Sequence, residues 1–568
     1  MVIFYKLFSL LKANEKINIF IIFLFMIINS IIELLSIAIL IPLISSLFNN
    51  TQEITFAQNS LLTKFFYFLH FLDIKDLLLV IFFVFIIKNL FILFYIFIQN
   101  YFILNIRVRL VNDVYKKYIS QDMIFFSNNN SSEILRNVDI AKNSSVIINA
   151  LLSLLLEILI LIVLCSFLLL YNFDITLRII LFFVFSVLLI FFFSKKKLFE
   201  AGFQNEEIEK SIKKNVNENI ANIKEIKVYS VEQFFLDKFS KLNKFLFKID
   251  LKVELFQQIP KLFIELIAVG LLCYVLFKLI GIVNNQEIIG LLALYTLVIV
   301  RLMPSSTRIS AALQRIKFFL PQVENLHKIF KMSANKIPSN STVKKNFSKI
   351  VNLKMLNISF RYQDHDYIFN NLNLNLKKGT INSIYGGNGS GKSTLLNIIL
   401  GLLKPTNGRI LINGSEKQYK NLIFKSNRIG YVPQNIYLLD DTIKNNIIFG
   451  SDLEDTNNLE KSIKNSQLEK LVSDLPKKLL TITGERGIKF SGGQIKKIAL
   501  ARCLYRNSDF LVLDEFNSDL DKNSEKIFLK FLRKNKNDKI IIIVTHATNI
   551  KKYCDNVYKI YNKRLIKL

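Results

Sequence analysis

The sequence is poor in cysteine, with only four among 568 residues. They are Cys165, Cys273, Cys503 and Cys554, and none belongs to a Cys-x-x-Cys pair. Scattered single cysteines show neither the spacing of a zinc site nor that of a disulfide framework. The sequence therefore indicates neither a cysteine-based metal centre nor a fold that depends on disulfides.

Acidic residues are also scarce: 44 Asp and Glu stand against 74 Lys and Arg, a formal net charge of +30 at pH 7. A charge of this size raises the hypothesis of nucleic-acid binding. The lysines, however, lie mostly beside apolar runs, and loops on the cytoplasmic side of membrane spans are normally basic. We therefore expect no nucleic-acid partner.

A cleavable signal is missing at the N-terminus, where no small-residue site follows a short apolar core. The first apolar run is therefore interpreted as a membrane anchor. Hydrophobic residues make up 51% of the chain and crowd into roughly its first 330 residues, in runs longer than a soluble core requires. Six runs predict membrane-spanning helices, at residues 17–48, 77–101, 147–171, 175–193, 262–282 and 288–303.

Six spans would place both termini in the cytoplasm. The helices after the second and fourth spans, and before the third and fifth, are expected to extend well beyond the bilayer. Residues 61–72 predict a further helix on the outer surface of the membrane. Residues 335–349, with Pro338 and several Ser and Asn, are interpreted as a linker between a transmembrane domain, 1–334, and a second domain, 350–568.

The second domain alternates strands and helices, which predicts an α/β fold. Within it, residues 386–394 read Gly-Gly-Asn-Gly-Ser-Gly-Lys-Ser-Thr and match the phosphate-loop pattern G-x-x-x-x-G-K-[ST]. A short strand precedes the loop and an apolar helical face follows it, so backbone N–H groups and a helix N-terminus would face a phosphate. The predicted ATP-binding residues of this loop are Gly386, Gly387, Asn388, Gly389, Ser390, Gly391, Lys392, Ser393 and Thr394.

The pattern also assigns roles inside and downstream of this loop. Lys392 is predicted to hold the β- and γ-phosphates, and Ser393 to bind Mg²⁺. An apolar strand at residues 510–515 ends in Asp514, predicted to hold Mg²⁺, and Glu515, predicted to polarise the attacking water. Two solvated acids at the end of a buried strand are the plainer alternative, which the upstream phosphate loop disfavours.

The order of these stretches resembles the ATP-binding-cassette superfamily across the whole second domain. Residues 490–494, Phe-Ser-Gly-Gly-Gln, look like its signature, which in that family closes over the nucleotide held by the other subunit. A serine and two glycines at a helix N-terminus would form a second anion site. The resemblance implies ATP-binding roles for Ser491, Gly492, Gly493 and Gln494.

Three further matches complete the implied site. Tyr362 corresponds to the aromatic that stacks on adenine, Gln434 to the glutamine that meets Mg²⁺, and His546 to the switch histidine that contacts the γ-phosphate. The resemblance thus implies ATP and Mg²⁺ as cofactors. Its implied catalytic residues are Glu515 and His546, and its implied metal ligands are Ser393, Gln434 and Asp514.

Three departures from the family pattern bear on the rate of hydrolysis rather than on nucleotide binding. Phe490 replaces the usual Leu, residues 495–497 (Ile-Lys-Lys) replace a Gln- and Arg-containing run, and Asp519 adds an acid near the expected dimer seam. One membrane half and one cassette make half a transporter of the exporter type. Because both halves of each composite ATP site are present, a homodimer is expected.

Charged residues within the predicted spans indicate function, because they are costly there. Arg301, Arg308 and Arg315 are spaced by seven and share one face of the sixth helix, each pair roughly 10 Å apart. Lys88 lies in the second span, and Lys261 at the inner end of the fifth. Such a basic stripe would attract an anionic group, although snorkelling of the side chains to lipid phosphates is the alternative.

Residues 301–309, 32–33 and 260–265 resemble the PglK-type lipid-linked oligosaccharide flippases. That family turns polyprenyl-diphosphate-linked glycans from the cytoplasmic to the outer leaflet, which implies a bacterial inner membrane, membrane lipids and a lipid-linked glycan as partners. The resemblance implies that the diphosphate meets cavity residues Lys88, Lys261, Arg301 and Arg308. We therefore predict a six-span α-helical transmembrane domain of the exporter type, followed by an α/β P-loop nucleotide-binding domain, acting as an ATP-driven flippase.

Other functions remain open at this stage. Export of a lipopolysaccharide precursor or of a peptide would use the same parts, although the short stretch before the first span leaves no room for the protease-like domain that peptide exporters often carry. A non-transporting ATPase regulator or a gated channel is a further alternative. Stimulation of ATP hydrolysis by the cargo would distinguish a transporter from these.

Overall fold

Long α-helices make up the first part of the chain in the computed structural model. The structure describes residues 8–40, 43, 74–171, 173–279, 285–332, 349–362, 366–416, 428–451 and 455–568. The chain divides into a helical unit, residues 1–121 and 126–334, and a mixed unit, residues 122–125 and 335–568.

The helical unit follows the apolar runs of the sequence. Its described helices are α1 (Ala13–Ala38), α2 (Ile74–Ile119), α3 (Met123–Asn128), α4 (Ser131–Tyr171), α5 (Phe173–Ala221), α6 (Ile223–Val228), α7 (Glu232–Leu279), α8 (Asn285–Phe318) and α9 (Leu320–Lys331). Helix α5 has 49 residues, about 74 Å at 1.5 Å per residue, against a hydrocarbon layer of about 30 Å. Helix α5 is therefore more than twice as long as a membrane span requires.

Within the described residues, four helices are long and apolar enough to cross a membrane: Ala13–Ala38, Ile74–Ile119, Ser131–Phe167 and Thr176–Ala221. Large side chains on α2, including Phe82 and Phe97, are more than half exposed, as a lipid-facing surface requires. The predicted fifth and sixth spans fall on α7 and α8, and residues 280–284 between these helices lie outside the described part. The predicted outer-surface helix at 61–72, and the predicted linker apart from Lys349, lie outside it too.

Helices α5 and α8 approach each other closely at Gly202. A Cβ atom at this position would lie 2.0 Å from the carbonyl oxygen of Phe318. We expect Gly202→Ala to lower the free energy of unfolding by about 1–3 kcal/mol, because the backbone of α8 must move to admit the methyl group. Thermal unfolding of the purified protein in detergent measures this effect.

Gly270→Ala is the matched control for that substitution. Gly270 is also helical, but a Cβ atom there would meet nothing within 4 Å. This variant is expected to keep or raise the melting temperature, because alanine favours a helix over glycine. Equal melting temperatures for the two variants would contradict the close approach at Gly202.

The described strands of the mixed unit form two sheets. They are β1 (Asn352–Phe360), β2 (Phe369–Lys377), β3 (Thr380–Tyr385), β4 (Asn407–Ile412), β5 (Ile429–Val432), β6 (Phe510–Asp514), β7 (Ile540–Val544), β8 (Asn556–Tyr561) and β9 (Arg564–Lys567). The smaller sheet is antiparallel, in the order β2-β1-β4. The larger has the order β5-β6-β7-β3-β8-β9, in which β9 alone among the described strands pairs antiparallel.

Helices cover both faces of the larger sheet. The described helices of this unit are α10 (Lys392–Ile399), α11 (Ile443–Ile448), α12 (Thr456–Asn465), α13 (Glu469–Asp474), α14 (Gly492–Tyr505) and α15 (Lys522–Lys534). Successive side chains of a strand point to opposite faces, so Val512 and Ile542 share a core with α10, whereas Leu513 and Ile543 pack with α14 and α15. The predicted α/β domain is confirmed.

Candidate nucleotide site and membrane charge cluster

Three parallel strands of the larger sheet end at the same edge. Ile384 in β3 and Asp514 in β6 both pair with Val544 in β7. The phosphate loop after β3, Glu515 after β6 and His546 after β7 therefore begin side by side. Ligands of parallel sheets bind at such carboxyl ends, so this edge is the candidate site.

The phosphate loop requires glycine where it enters α10. Gly391 has a φ of 92° and precedes the first residue of the helix. A Cβ atom there would lie 2.6 Å from Cγ2 of Ile368 and 2.8 Å from Cζ of Phe369. Both the left-handed backbone and the lack of space exclude a side chain, which leaves the backbone of the loop open to a ligand.

The side chain of Lys392 folds back over this loop. Its ammonium donates to the carbonyl oxygens of Gly386 at 3.1 Å and Gly387 at 3.0 Å. Burial lowers the pKa of Lys392, whereas the nearby charges of Glu515 and Asp514 raise it. The ammonium of the predicted phosphate-binding lysine thus lies against the loop, near the charges of Asp514 and Glu515.

The loop and its surroundings fit a phosphate and Mg²⁺. Ser390 Oγ is buried and has no hydrogen-bond partner among the described residues, so it is free to bind a phosphate oxygen. In the described part of the chain, no group of three or more His, Cys, Asp or Glu side chains is arranged so that it could hold a metal ion by itself. Mg²⁺ normally takes one or two carboxylates together with phosphates and water, and Ser393, Gln434 and Asp514 suit that mode of binding.

Asp514 is buried at the end of β6. Burial, followed by the charge of Glu515, raises the pKa of Asp514 to about 6, and Lys392 and Lys496 lower it. Burial of the Tyr431 side chain, followed by the charge of Asp514, raises the pKa of Tyr431 to about 12. A divalent cation would favour the ionised form of a carboxyl group in this position.

The structure brings the predicted catalytic residues together around Glu515. Gln434 Nε2 donates to Glu515 Oε2 at 2.8 Å, and His546 Nε2 lies 3.0 Å from Glu515 Oε1. Glu515 has a φ of 46°, a left-handed conformation that costs a residue with a side chain roughly 1–3 kcal/mol. Strain of this kind is kept only where surrounding contacts hold it, and it is common at active sites.

The signature residues form the start of α14. Ser491 Oγ accepts from the backbone N–H of Gln494 at 3.4 Å, and Gln494 Oε1 accepts from the N–H of Ser491 at 2.9 Å, a capping box. Ser491, Gly492, Gly493 and Gln494 line a cavity of about 600 Å³ together with Asp519. Half-buried Phe490, which replaces the family's leucine, packs against an apolar cluster beside them.

Tyr362 keeps an accessible ring at the end of β1. It is half-buried and meets Phe360 edge-on, with ring centroids 5.0 Å apart. The ring is therefore held in place while part of its surface is open for stacking. Residues 363–365 beyond it lie outside the described part of the chain.

Sequence reasoning missed the contact made by Lys496. This lysine is buried within α14, and its ammonium donates to the backbone carbonyl of Glu515 at 3.1 Å. Lys496 belongs to residues 495–497, where the sequence departs from the family pattern. That departure gave no indication that its side chain is buried. The contact connects the signature helix with the backbone of Glu515, the predicted catalytic residue.

In the helical unit, two of the predicted cavity cations, Lys88 and Arg301, share one acidic partner. Lys88 Nζ donates to Glu33 Oε1 at 3.1 Å and to Ser36 Oγ at 3.0 Å. Arg301 Nη2 lies 2.6 Å from the same Glu33 oxygen. We call Glu33, Lys88 and Arg301 the membrane charge cluster; it joins α1, α2 and α8.

The other two predicted cations do not join this cluster through a described contact. Arg308 pairs with buried Glu157 of α4. Lys261 is exposed on α7 and makes no ion pair with any described residue. The sequence had marked Glu33 and Glu157 as costly charges in spans, but it could not name their partners.

Comparison with known proteins decides the family. Residues 19–303 match the ABC transporter transmembrane region, about half of the chain, and residues 369–518 match the ABC transporter domain. The chain belongs to the ABC transporter family. The order of one membrane region and one cassette is that of a half-transporter.

Individual relatives agree with this assignment. The chain is 30% identical over 272 residues to the mitochondrial iron-sulfur clusters transporter ATM1 of Candida glabrata, covering 47% of this chain and 37% of that protein. It is 34% identical over 219 residues to the ATP-dependent lipid A-core flippase of Pseudoalteromonas translucida, covering 38% and 37%. These matches therefore span less than half the length of either relative.

A solved structure shows the same fold. A bacterial Atm1-family ABC exporter with ATP bound superposes with a TM-score of 0.78 at 17% identity, over 97% of this chain and 94% of that one. The predicted architecture, a helical exporter-type membrane domain followed by a nucleotide-binding domain, is confirmed. This ABC transporter is thus a membrane-spanning protein with an ATP-binding domain.

Proposed function

We propose that this ABC transporter is an ATP-driven flippase that moves a lipid-diphosphate-linked oligosaccharide from the cytoplasmic to the outer leaflet. The observation that carries the proposal is the membrane charge cluster, in which two cations share one carboxylate between α1, α2 and α8. The similarity to a protein named as a lipid A-core flippase supports a lipid cargo. The setting we propose is a bacterial inner membrane, with both termini in the cytoplasm.

The charge cluster is suited to binding phosphate. Glu33 is only 4% exposed at its side chain, whereas the Arg301 side chain is 23% exposed, so a ligand would reach the arginine first. Formally, two cations and one anion leave one net positive charge. Arg301 Nε is also buried without a partner among the described residues, and a guanidinium prefers two parallel bonds to a phosphate.

The diphosphate would compete with Glu33 for these donors. It carries more negative charge and more acceptor oxygens than one carboxylate, so exchange of partners keeps each cation compensated. Burying a charge pair in an apolar setting is costly, and a structural role alone would be served equally well by apolar residues. A cargo-binding role accounts for the presence of cations at positions 88 and 301.

ATP hydrolysis supplies the energy in this proposal, and a homodimer supplies two composite sites. Glu515 acts as the general base that accepts a proton from the attacking water. Gln434 and His546 each contact one of its carboxylate oxygens and hold it in place. Mg²⁺, when bound by Ser393, Gln434 and Asp514, supplies positive charge beside the phosphates.

A lipopolysaccharide precursor is the second candidate cargo. The relative named as a lipid A-core flippase favours it, and an anionic lipid headgroup would meet the same cations. The two cargoes share this charge but differ in their lipid and in their glycan.

Cargo-stimulated ATP hydrolysis in proteoliposomes tests the proposal. Polyprenyl-diphosphate oligosaccharide, lipid A-core and the same oligosaccharide on an uncharged polyprenyl lipid are compared at equal concentration. Stimulation by the diphosphate lipid, and not by the uncharged one, is expected. Stimulation by lipid A-core alone would select the second cargo, and no stimulation by any lipid would favour a regulator or channel instead.

A further inference from the structure

We propose that Lys496 is a positioning residue for ATP hydrolysis, because its ammonium holds the backbone of Glu515 in the conformation that directs the carboxylate toward Gln434 and His546. The inference rests on the proposed ATPase activity and adds a residue to it. Lys496 touches no reacting atom in this assignment and acts through Glu515.

The burial of Lys496 is the first observation. It is among the largest fully buried side chains, at 1% exposure, although lysine is almost never fully buried unless it is paired. Burial lowers the pKa of Lys496, while the charges of Asp519, Asp514 and Glu515 raise it. An ammonium placed among three acids and bonded to a carbonyl is compensated, which explains how the buried charge is tolerated.

The second observation is the backbone that this ammonium holds. The carbonyl oxygen of Glu515 accepts from Lys496 Nζ at 3.1 Å, from the Ser518 N–H at 3.2 Å and from Ser518 Oγ at 2.9 Å. Three donors on one oxygen fix the orientation of this peptide group. They oppose the cost of the left-handed φ of Glu515, so removing one of them would let the carboxylate turn away.

The third observation connects this contact with the signature. Lys496 lies five residues after Ser491 on the same helix, about 7.5 Å along its axis. At the start of that helix, a Cβ atom on Gly493 would lie 2.8 Å from the carbonyl oxygen of Asp519. The signature helix therefore contacts the segment 515–519 at two points, one by close packing and one through the lysine.

Nucleotide turnover and nucleotide binding are measured separately to test this role. Lys496→Met is expected to lower kcat about 10- to 100-fold, the size of effect seen when a catalytic group is displaced by about 1 Å. The KM for ATP and the affinity for a fluorescent ATP analogue should change less than about twofold, because the phosphate loop is untouched. Lys496→Arg should restore most of kcat, since it returns a cation with similar reach.

Lys539→Met is the matched control. Lys539 also donates to a backbone carbonyl, that of Ser508 at 2.8 Å, but at the opposite end of β6 and β7 from Glu515. Ser518→Ala provides a second test that removes no buried charge. It should also lower kcat, but by a smaller factor than Lys496→Met. Melting temperatures of all variants identify any that fail to fold.

Three results would contradict the positioning role of Lys496. A normal kcat in Lys496→Met, or a normal kcat in Ser518→Ala where Lys496→Met does not fold, would overturn it. Equal losses in Lys496→Met and Lys539→Met would also overturn it, because a structural role predicts both. If the wild-type protein bound ATP but did not hydrolyse it, the proposed function would fail rather than the contact described here.

Discussion

Glu515→Gln is expected to lower the rate of ATP hydrolysis at saturating ATP about 100- to 10,000-fold, which is the usual contribution of a general base. Glutamine keeps the size of the side chain but cannot accept a proton from water. The carboxylate contacts of Gln434 at 2.8 Å and His546 at 3.0 Å show that Glu515 is already held at the end of β6. Phosphate release from the purified protein measures the rate.

Nucleotide affinity provides the internal control for this substitution. It should stay close to the wild-type value, because Lys392 and the loop glycines are unchanged. Glu525→Gln is the matched variant: Glu525 lies on α15, is buried, and accepts from Asn549 at 3.0 Å. A wild-type hydrolysis rate in Glu515→Gln would refute its assignment as the general base.

Arg301→Ala with Arg308→Ala is expected to slow flipping of a lipid-diphosphate oligosaccharide about 100-fold or more at limiting cargo. Each charge-assisted hydrogen bond contributes about 1.5–3 kcal/mol, and about 1.4 kcal/mol changes an equilibrium constant tenfold. Basal ATP hydrolysis should be retained, since neither arginine belongs to the nucleotide-binding domain. Protection of the glycan from an added lectin or glycosidase in proteoliposomes measures flipping.

Arg315→Ala is the control on the same helix. Arg315 continues the seven-residue spacing and is exposed like Arg308, but it forms no ion pair with a described residue. Because Arg308→Ala leaves buried Glu157 without its partner, a triple variant that adds Glu157→Gln separates loss of binding from misfolding. Unimpaired flipping in the folded double or triple variant would remove these arginines from the cargo site.

Much of the nucleotide site could be predicted from the sequence, because its parts are short motifs with fixed spacing. The pattern of residues 386–394 determines a loop in which glycines are needed for both backbone and space, and Gly391 shows both. Strand β6 is fully apolar up to Asp514, so its end could be located from the letters alone. At the phosphate loop and at the end of β6, the structure therefore agrees closely with the sequence pattern.

Contacts between distant segments could not be predicted in the same way. Lys88 and Glu33 are 55 residues apart, and nothing in either stretch names the other as partner. The sequence did not indicate that Lys496 is buried, because its burial depends on how α14 packs against the 515–519 segment. The left-handed backbone of Glu515 likewise follows from tertiary contacts, since glutamate itself disfavours it.

We propose that ATP hydrolysis in this transporter drives a lipid-diphosphate glycan across the membrane. The most direct test of this proposal is glycan protection in sealed proteoliposomes that contain wild-type protein or Glu515→Gln, with and without ATP. We expect ATP-dependent movement with the wild type, and none with Glu515→Gln although it binds ATP. Movement at equal rates in both, or none in the wild type while it hydrolyses ATP, would contradict the claim.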